Sequence, residues 1–321
     1  MKAFCNRLIA VIVILFQFSC AHSQKEISNS QIDKLIDTTA KLINENYVFP
    51  DVAQKIEKHL KSQNTRGNFN GISTKREFAI TLTMEMQSIS HDKHMRCRFR
   101  GSTINPKPSE INQNYDYSEI KNIQNFGFFR TGKIDGDIGY LEIFGFPSLE
   151  RARESADAAM KTLQGSKVLI VDNRRNGGGS PDMICYICSY FFEKPTLINS
   201  IYWRSLSKKV DFVTYEKVNG SKFISVPIYV LTSSFTFSGG EEFVYDIQTQ
   251  KRGTIVGEVT GGGANPGDFF NLDEDFGIFI PTGTAINPIT NTNWEGVGVK
   301  PDINIEAKNA LEYVINILKS N

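Results

Sequence analysis

The sequence predicts an α/β core with a largely parallel sheet behind a helical amino-terminal subdomain, and three observations carry that prediction. Strand-like and helix-like segments alternate between residues 138 and 256. Within that region Val168-Leu169-Ile170-Val171 and Ile228-Tyr229-Val230-Leu231 are continuous apolar runs, as expected of strands covered on both faces. Before it, residues 28–88 repeat their apolar positions at helical spacing.

The elements follow in order. Lys2 and Arg7 precede an apolar run over residues 8–16, and small residues follow at Ala21 and Ser23. This is the pattern of a signal peptide, so residues 1–23 predict export to the periplasm or the extracellular space. The run is shorter than the ~20 residues a membrane helix needs. Two processing points stay open: cleavage after Ser23, or lipid attachment at Cys20, which would anchor the protein to a membrane. Residues 24–105 form the helical subdomain, with three helices set by Ile32, Leu35, Ile36, Ala40 and their successors and broken at Pro50 and Gly71. Residues 106–135 read as a connecting segment with little structure of its own, and the mixed stretch 95–135, with turn signals at Asn105-Pro106 and Lys107-Pro108, is consistent with short strands and a crossing connection.

The core domain then occupies residues 136–321. A strand at 138–143, a helix at 148–164 and a strand at 168–171 open it. A second cycle has a helix near 181–192, strands near 197–217, a strand at 228–231, a helix at 238–250 and a strand at 254–256. Short strands over 269–280 and a helix over 307–318 close the chain.

Composition narrows the function. The chain has 321 residues, 40% hydrophobic and 22% charged, and a formal net charge of +1. That balance gives no electrostatic footprint for nucleic acid. Beyond the leader only Cys97, Cys185 and Cys188 remain, an odd number that argues against a disulfide framework. Cys185 and Cys188 have CxxC spacing but apolar neighbours, which predicts two buried thiols on one helix face. The histidines left are His59, His91 and His94, without HExxH or a second CxxC, so neither a metal nor an organic cofactor is expected.

Two strand ends are rich in chemistry, where α/β sheets place their sites. Asp172-Asn173-Arg174-Arg175-Asn176-Gly177-Gly178-Gly179 follows the strand ending at Val171. Its glycines fit a flexible turn, and equally a backbone concavity for an anion. Thr236-Phe237-Ser238-Gly239-Gly240-Glu241 follows the strand ending at Leu231. Ser238 fits a helix N-cap with Glu241 completing a capping box, and it also fits a nucleophile whose neighbour Gly239 offers an N–H to an oxyanion; the two roles are compatible. The Gly-x-Ser-x-Gly elbow is absent. A serine nucleophile needs a base, for which His91 and His94 are candidates, and an acid to orient it, for which Glu295 is one.

At these residues the chain resembles the carboxyl-terminal processing (tail-specific) peptidases, in particular their tricorn-like and interphotoreceptor-retinoid-binding-protein-like branch. The pieces occur in family order: Asp92-Lys93-His94, the 172–179 turn, Thr236-Phe237-Ser238 with Glu241, Thr260-Gly261-Gly262, and Glu295-Gly296-Val297-Gly298-Val299-Lys300-Pro301-Asp302. The resemblance implies a crotonase-like (ClpP/crotonase-type) αβ core and a serine peptidase acting on peptides or proteins. Ser238 would be nucleophile, His94 base and Glu295 its partner, with an oxyanion hole from Gly239 and Gly177 or Gly178. The lysine that serves as base in the processing branch is replaced by Gly263, and the serine before the tricorn-branch histidine by Lys93. Roughly 40 residues separate His94 from the strand at Ile138, too few for the PDZ domain that the family often carries. Relatives that bind apolar ligands imply an alternative, a scaffold that binds without cutting.

Overall fold

The computed structural model describes residues 26–101, 121–125 and 127–320. The leader, with Cys20 and Ser23, lies outside them. Three helices come first: α1 (Asn29–Asn46), α2 (Pro50–Thr65) and α3 (Lys75–Ser90). Their starts follow local rules, with Ser28 and Thr74 capping α1 and α3 through their hydroxyls and Pro50 at the first turn of α2. The remaining elements are β1 (Arg96–Phe99), β2 (Lys121–Asn125), β3 (Phe128–Ile134), β4 (Ile138–Ile143), α4 (Leu149–Thr162), β5 (Val168–Asp172), α5 (Pro181–Ser189), β6 (Leu197–Trp203) and β7 (Lys208–Val213). After them come β8 (Ile228–Thr232), α6 (Gly239–Thr249), β9 (Thr254–Gly257), β10 (Gly267–Asn271), β11 (Phe276–Pro281), β12 (Gly283–Ile286), β13 (Ile303–Asn304) and α7 (Ala307–Ser320).

The central sheet has seven strands in the order β13-β9-β8-β5-β4-β3-β2. Neighbours from β4 through β13 run parallel, and β2, β3 and β4 are antiparallel. Parallel strands are buried on both faces, which is why β4 and β8 carry their near-continuous apolar runs. One face packs on α4, α5 and α6 through Ala156, Met160, Ile184, Phe243 and Ile247; Ala310, Val314 and Ile315 of α7 cover the other. This α/β core matches the predicted class.

The short strands expected over 95–135 are β1, β2 and β3, and the sequence left their partners open. The connecting segment contributes β2 and β3, which extend the main sheet through antiparallel pairing. A second sheet, β1-β11-β10, joins the helical subdomain to the core, because Phe276, Ile278 and Ile280 of β11 share a hydrophobic cluster with Leu35, Phe78 and Leu82. Pairing between strands 180 residues apart in number leaves no local periodicity to read (Cys97 opposite Ile278 is the instance). A third sheet, β12-β6-β7, flanks the core. Cys185 and Cys188 are buried on α5.

Candidate active site

The turn between β8 and α6 carries Ser238 with φ 56° and ψ −126°. A residue other than glycine occupies that region only where its surroundings impose it. Several hydrogen bonds do so. Thr236 Oγ1 donates to Asn173 O at 2.9 Å, Phe237 N–H to Asn176 O at 2.9 Å, and Ser238 N–H to the Glu241 carboxylate at 2.9 Å. Asn173 Nδ2 donates to Gly240 O at 2.8 Å, so the loop after β5 is stitched to the start of α6. Asp172 and Arg174 brace that loop: they pair with each other, Tyr140 donates its hydroxyl to Asp172 at 2.8 Å, and Arg174 reaches Ala307 O at 2.7 Å.

Gly178 lies against the serine. Its φ is +101°, and a Cβ there would stand 2.7 Å from Ser238 Cβ and 2.7 Å from Gly239 N. The expected oxyanion donors need correction. Gly177 N–H donates to Phe144 O at 2.9 Å and Gly178 N–H to Asn176 Oδ1 at 2.8 Å, so both are engaged within the protein. Gly179 is exposed, and a Cβ on Gly239 would fall 2.8 Å from its nitrogen. Gly239 opens α6, where the first N–H groups have no intrahelical acceptor.

His94 follows α3, which His91 ends in a left-handed conformation at φ 55°. The imidazole is 3% exposed and sits between two rings, Phe237 at 4.6 Å and Phe279 at 5.7 Å between centroids. Phe237 precedes Ser238, so the base candidate packs against the residue next to the nucleophile candidate. Asp92 Oδ1 accepts the His94 N–H at 2.9 Å and lies 3.7 Å from Nδ1. Asp92 Oδ2 accepts from Asn265 Nδ2 at 2.9 Å and from the Tyr47 hydroxyl at 3.4 Å. Burial and the Asp92 and Glu295 carboxylates push the Tyr47 pKa up, which keeps its proton available for donation.

Glu295 arrives from the turn before β13. Its Oε2 accepts Ala264 N–H at 2.5 Å, and its N–H is fixed by Asn293 Oδ1 at 3.0 Å. One oxygen each of Asp92 and Glu295 and one His94 nitrogen lie within 4.8 Å of one another. Glu295 Oε1 and both His94 nitrogens are buried with no hydrogen-bond partner among the described residues. Burial, and then the Asp92 carboxylate, raise the Glu295 pKa against the pull of the Ala264 and Asn265 N–H groups.

Glu241 ties these pieces together. It is fully buried and accepts from Thr260 Oγ1 at 2.5 Å, Gly262 N–H at 2.6 Å and Gly263 N–H at 2.8 Å besides Ser238. Trp294 Nε1 donates to Gly263 O at 2.7 Å, and Lys93 Nζ to Gly261 O at 2.5 Å. The 260–264 loop is thereby fixed among the serine, histidine and glutamate segments. The sequence reading gave Glu241 only a capping role; its spacing from Ser238 was the available signal, but the loop it holds lies about 20 residues on. Asp92 was legible only as part of Asp-x-His.

Comparison with known proteins identifies the family. The model for Peptidase family S41 matches residues 137–305, and that for the N-terminal domain of Peptidase_S41 in eukaryotic IRBP matches residues 26–124. The chain belongs to peptidase family S41. The first match holds Ser238 and Glu295, and the second holds His94. It is 26% identical over 180 residues to a carboxy-terminal-processing protease of Bartonella bacilliformis, and 27% identical over 176 residues to carboxyl-terminal-processing peptidase 2, chloroplastic, of Arabidopsis thaliana. Each match covers 54% of this chain but only 40% and 32% of those relatives. Among solved structures, a putative peptidase from Parabacteroides merdae aligns over 89% of this chain and 96% of its own, with TM-score 0.61 and 18% identity. The photosystem II D1 C-terminal processing protease aligns over 90% and 98%, with TM-score 0.53 and 14% identity. The tricorn protease aligns over 90% of this chain and 37% of its own, with TM-score 0.56 and 16% identity. At such identities these likenesses show the shared fold.

Proposed function

We propose that this protein is a serine peptidase that hydrolyses peptide bonds, with Ser238 as nucleophile, His94 as base and Glu295 as the carboxylate that orients the base. The observation that carries the reading is the strained Ser238 turn, whose Phe237 packs on a buried imidazole that has no hydrogen-bond partner among the described residues and faces two carboxylates. Strain of this kind gathers where chemistry needs a side chain held out of its relaxed position.

In the first step Ser238 Oγ attacks the peptide carbonyl while His94 Nε2 takes its proton, through a hydrogen bond that forms as substrate docks. Nδ1 faces Asp92 and Glu295, whose negative charge stabilises the imidazolium. The oxyanion is received by the N–H of Gly239 at the positive end of α6 and by the N–H of Gly179, in place of Gly177 or Gly178. The imidazolium then gives its proton to the leaving amine, and water releases the acyl group by the same route. Cleavage toward a carboxyl terminus, as the names of the curated relatives say of those proteins, is part of the proposal. So is export, periplasmic or extracellular, with Cys20 or Ser23 as the processing point; the mass of the mature amino terminus distinguishes the two.

Ser238→Ala tests the assignment. It should abolish peptide hydrolysis and covalent capture of a serine-directed phosphonate while thermal unfolding stays unchanged. Unaltered hydrolysis in that variant would end the proposal, and a wild-type chain that captures no probe and cuts no peptide would favour the ligand-binding scaffold.

A further inference from the structure

We infer that Asp92, His94 and Glu295 form a zinc-binding site, and that zinc held there blocks the serine reaction. The metal site stands on the geometry alone; only the blocking step rests on the peptidase reading.

The ligand atoms converge. Asp92 Oδ1 is 3.7 Å from His94 Nδ1, and a carboxylate oxygen of Glu295 joins them within 4.8 Å. A tetrahedral zinc ion binds nitrogen and carboxylate oxygen at about 2.0–2.2 Å, which sets its ligand atoms roughly 3.4 Å apart. Modest rotation of Glu295 closes the difference. Glu295 Oε1 is buried and unpartnered, so it can turn toward the ion while Oε2 keeps the Ala264 N–H.

Two further observations point to a cation. The His94 ring is 3% exposed and neither nitrogen finds a hydrogen bond among the described residues. Buried polar atoms left in that state are costly, and a bound ion is one of the ways proteins satisfy them. Second, two acidic side chains converge on one imidazole in a buried place, where a cation is the group that can bind all three at once. Asp92 is anchored as ligands usually are, by the Asn265 amide at 2.9 Å and the Tyr47 hydroxyl at 3.4 Å. One imidazole with two carboxylates suits zinc, whereas calcium and magnesium require more oxygen ligands. Entry is from the 295–297 turn, where Glu295 is partly exposed and Val297 is 66% exposed.

The consequence follows from the tautomers of histidine. Zinc on Nδ1 needs that nitrogen's lone pair, so the neutral ring keeps its one proton on Nε2. An Nε2 that carries a proton donates and does not accept. It then has no capacity to take the proton of Ser238, and Glu295 is withdrawn from the imidazole at the same time.

The experiment uses Ser238→Ala as a host without the serine chemistry, titrated calorimetrically with Zn2+. One ion per chain is expected, with a dissociation constant at or below about 10 µM, as for a three-ligand protein site. Glu295→Gln and Asp92→Asn, each added to that host, should weaken binding by about 30-fold or more. Co2+ in the same host should give the visible absorption of a four- or five-coordinate ion. In the wild type, Zn2+ should inhibit peptide hydrolysis with a midpoint equal to the calorimetric constant. No uptake at ~100 µM Zn2+, or full uptake in Glu295→Gln, overturns the site; the Glu295 variant serves even where Asp92→Asn does not fold. Hydrolysis undisturbed by saturating zinc overturns the blocking step, and a chain that binds zinc but cuts no peptide upholds the site and removes both the blocking step and the peptidase reading.

Discussion

Replacing Glu241 by glutamine tests whether one buried carboxylate holds the site together. The side chain is fully buried and receives Ser238 N–H at 2.9 Å, Thr260 Oγ1 at 2.5 Å, Gly262 N–H at 2.6 Å and Gly263 N–H at 2.8 Å. Each oxygen takes two of these donors, so an amide in its place turns one oxygen into an NH2 that faces two donors with nothing to accept them. Hydrogen bonds to a charged acceptor contribute about 1.5–3 kcal/mol each, which makes the loss roughly 3–6 kcal/mol. Removing a buried charge offsets part of it, since burial raises the Glu241 pKa against the pull of those same four donors. A net destabilisation near the lower end, about 3 kcal/mol, corresponds to a Tm lowered by roughly 4–5 °C in a chain of 321 residues, at about 2.1 cal/mol/K of unfolding entropy per residue. Scanning calorimetry of Glu241→Gln measures the shift, and phosphonate labelling of Ser238 measures the site. Labelling should slow by about tenfold or more, because the Ser238 amide and the 260–264 loop lose a common anchor. A Tm within about 2 °C of the wild type, with labelling unchanged, would refute the assignment of Glu241 as the clamp.

Two other substitutions probe neighbouring features. Glu242 and Asp246 lie buried on α6, where burial pushes both pKa values up and the Glu242 charge pushes Asp246 further. A carboxyl whose pKa is higher in the folded than in the unfolded chain favours folding at low pH and loses that contribution as pH rises from about 4.5 through the raised value, so Tm should fall across pH 5–8. Glu242→Gln should flatten that decline and exceed the wild type in Tm at pH 9; parallel profiles would sink the idea. Gly178→Ala should place a methyl against Ser238 Cβ at a φ of +101°. It should lower kcat by about 10²-fold or more and stability by ~1–3 kcal/mol, and kcat within about threefold of the wild type would contradict the close packing.

What the sequence made legible, and what it did not, divides by range. The helices over 28–88 and the strands at 138–143, 168–171 and 228–231 come from periods of 3.6 and from apolar runs, both local signals. They survive in the structure within a few residues. The bounds and pairing of β3 were hidden because they depend on β4, with which it pairs from Ile134 opposite Ile138 outward. The site divides the same way. His94, Ser238 and Glu295 were readable as motifs, but the acceptors of Gly177 and Gly178 were not, since Phe144 comes from the end of a different strand and Asn176 turns its side chain back on its own loop. Residue type shows which N–H groups are unobstructed by side chains. It does not show which of them the fold has already used.

Gly263 gives a steric reason for proposing His94, and not a lysine, as the base. A Cβ at 263 would stand 2.7 Å from His94 Cε1 and closer still to the Phe237 ring. The space that a lysine side chain would cross to approach Ser238 is filled by the imidazole and by the phenyl ring tilted against it at 4.6 Å between centroids. A lysine entering there would displace His94 from between Phe237 and Phe279, and a histidine held there requires glycine at 263. The two kinds of base therefore compete for one volume, and the choice between them is made jointly by residues that are far apart in sequence. The Gly263 N–H, donated to Glu241 at 2.8 Å, and its carbonyl, held by Trp294 at 2.7 Å, keep that glycine pressed against the ring. Loss of either bond frees the loop to move away from His94, and the imidazole then loses one wall of its slot even though no residue of the reaction itself has changed.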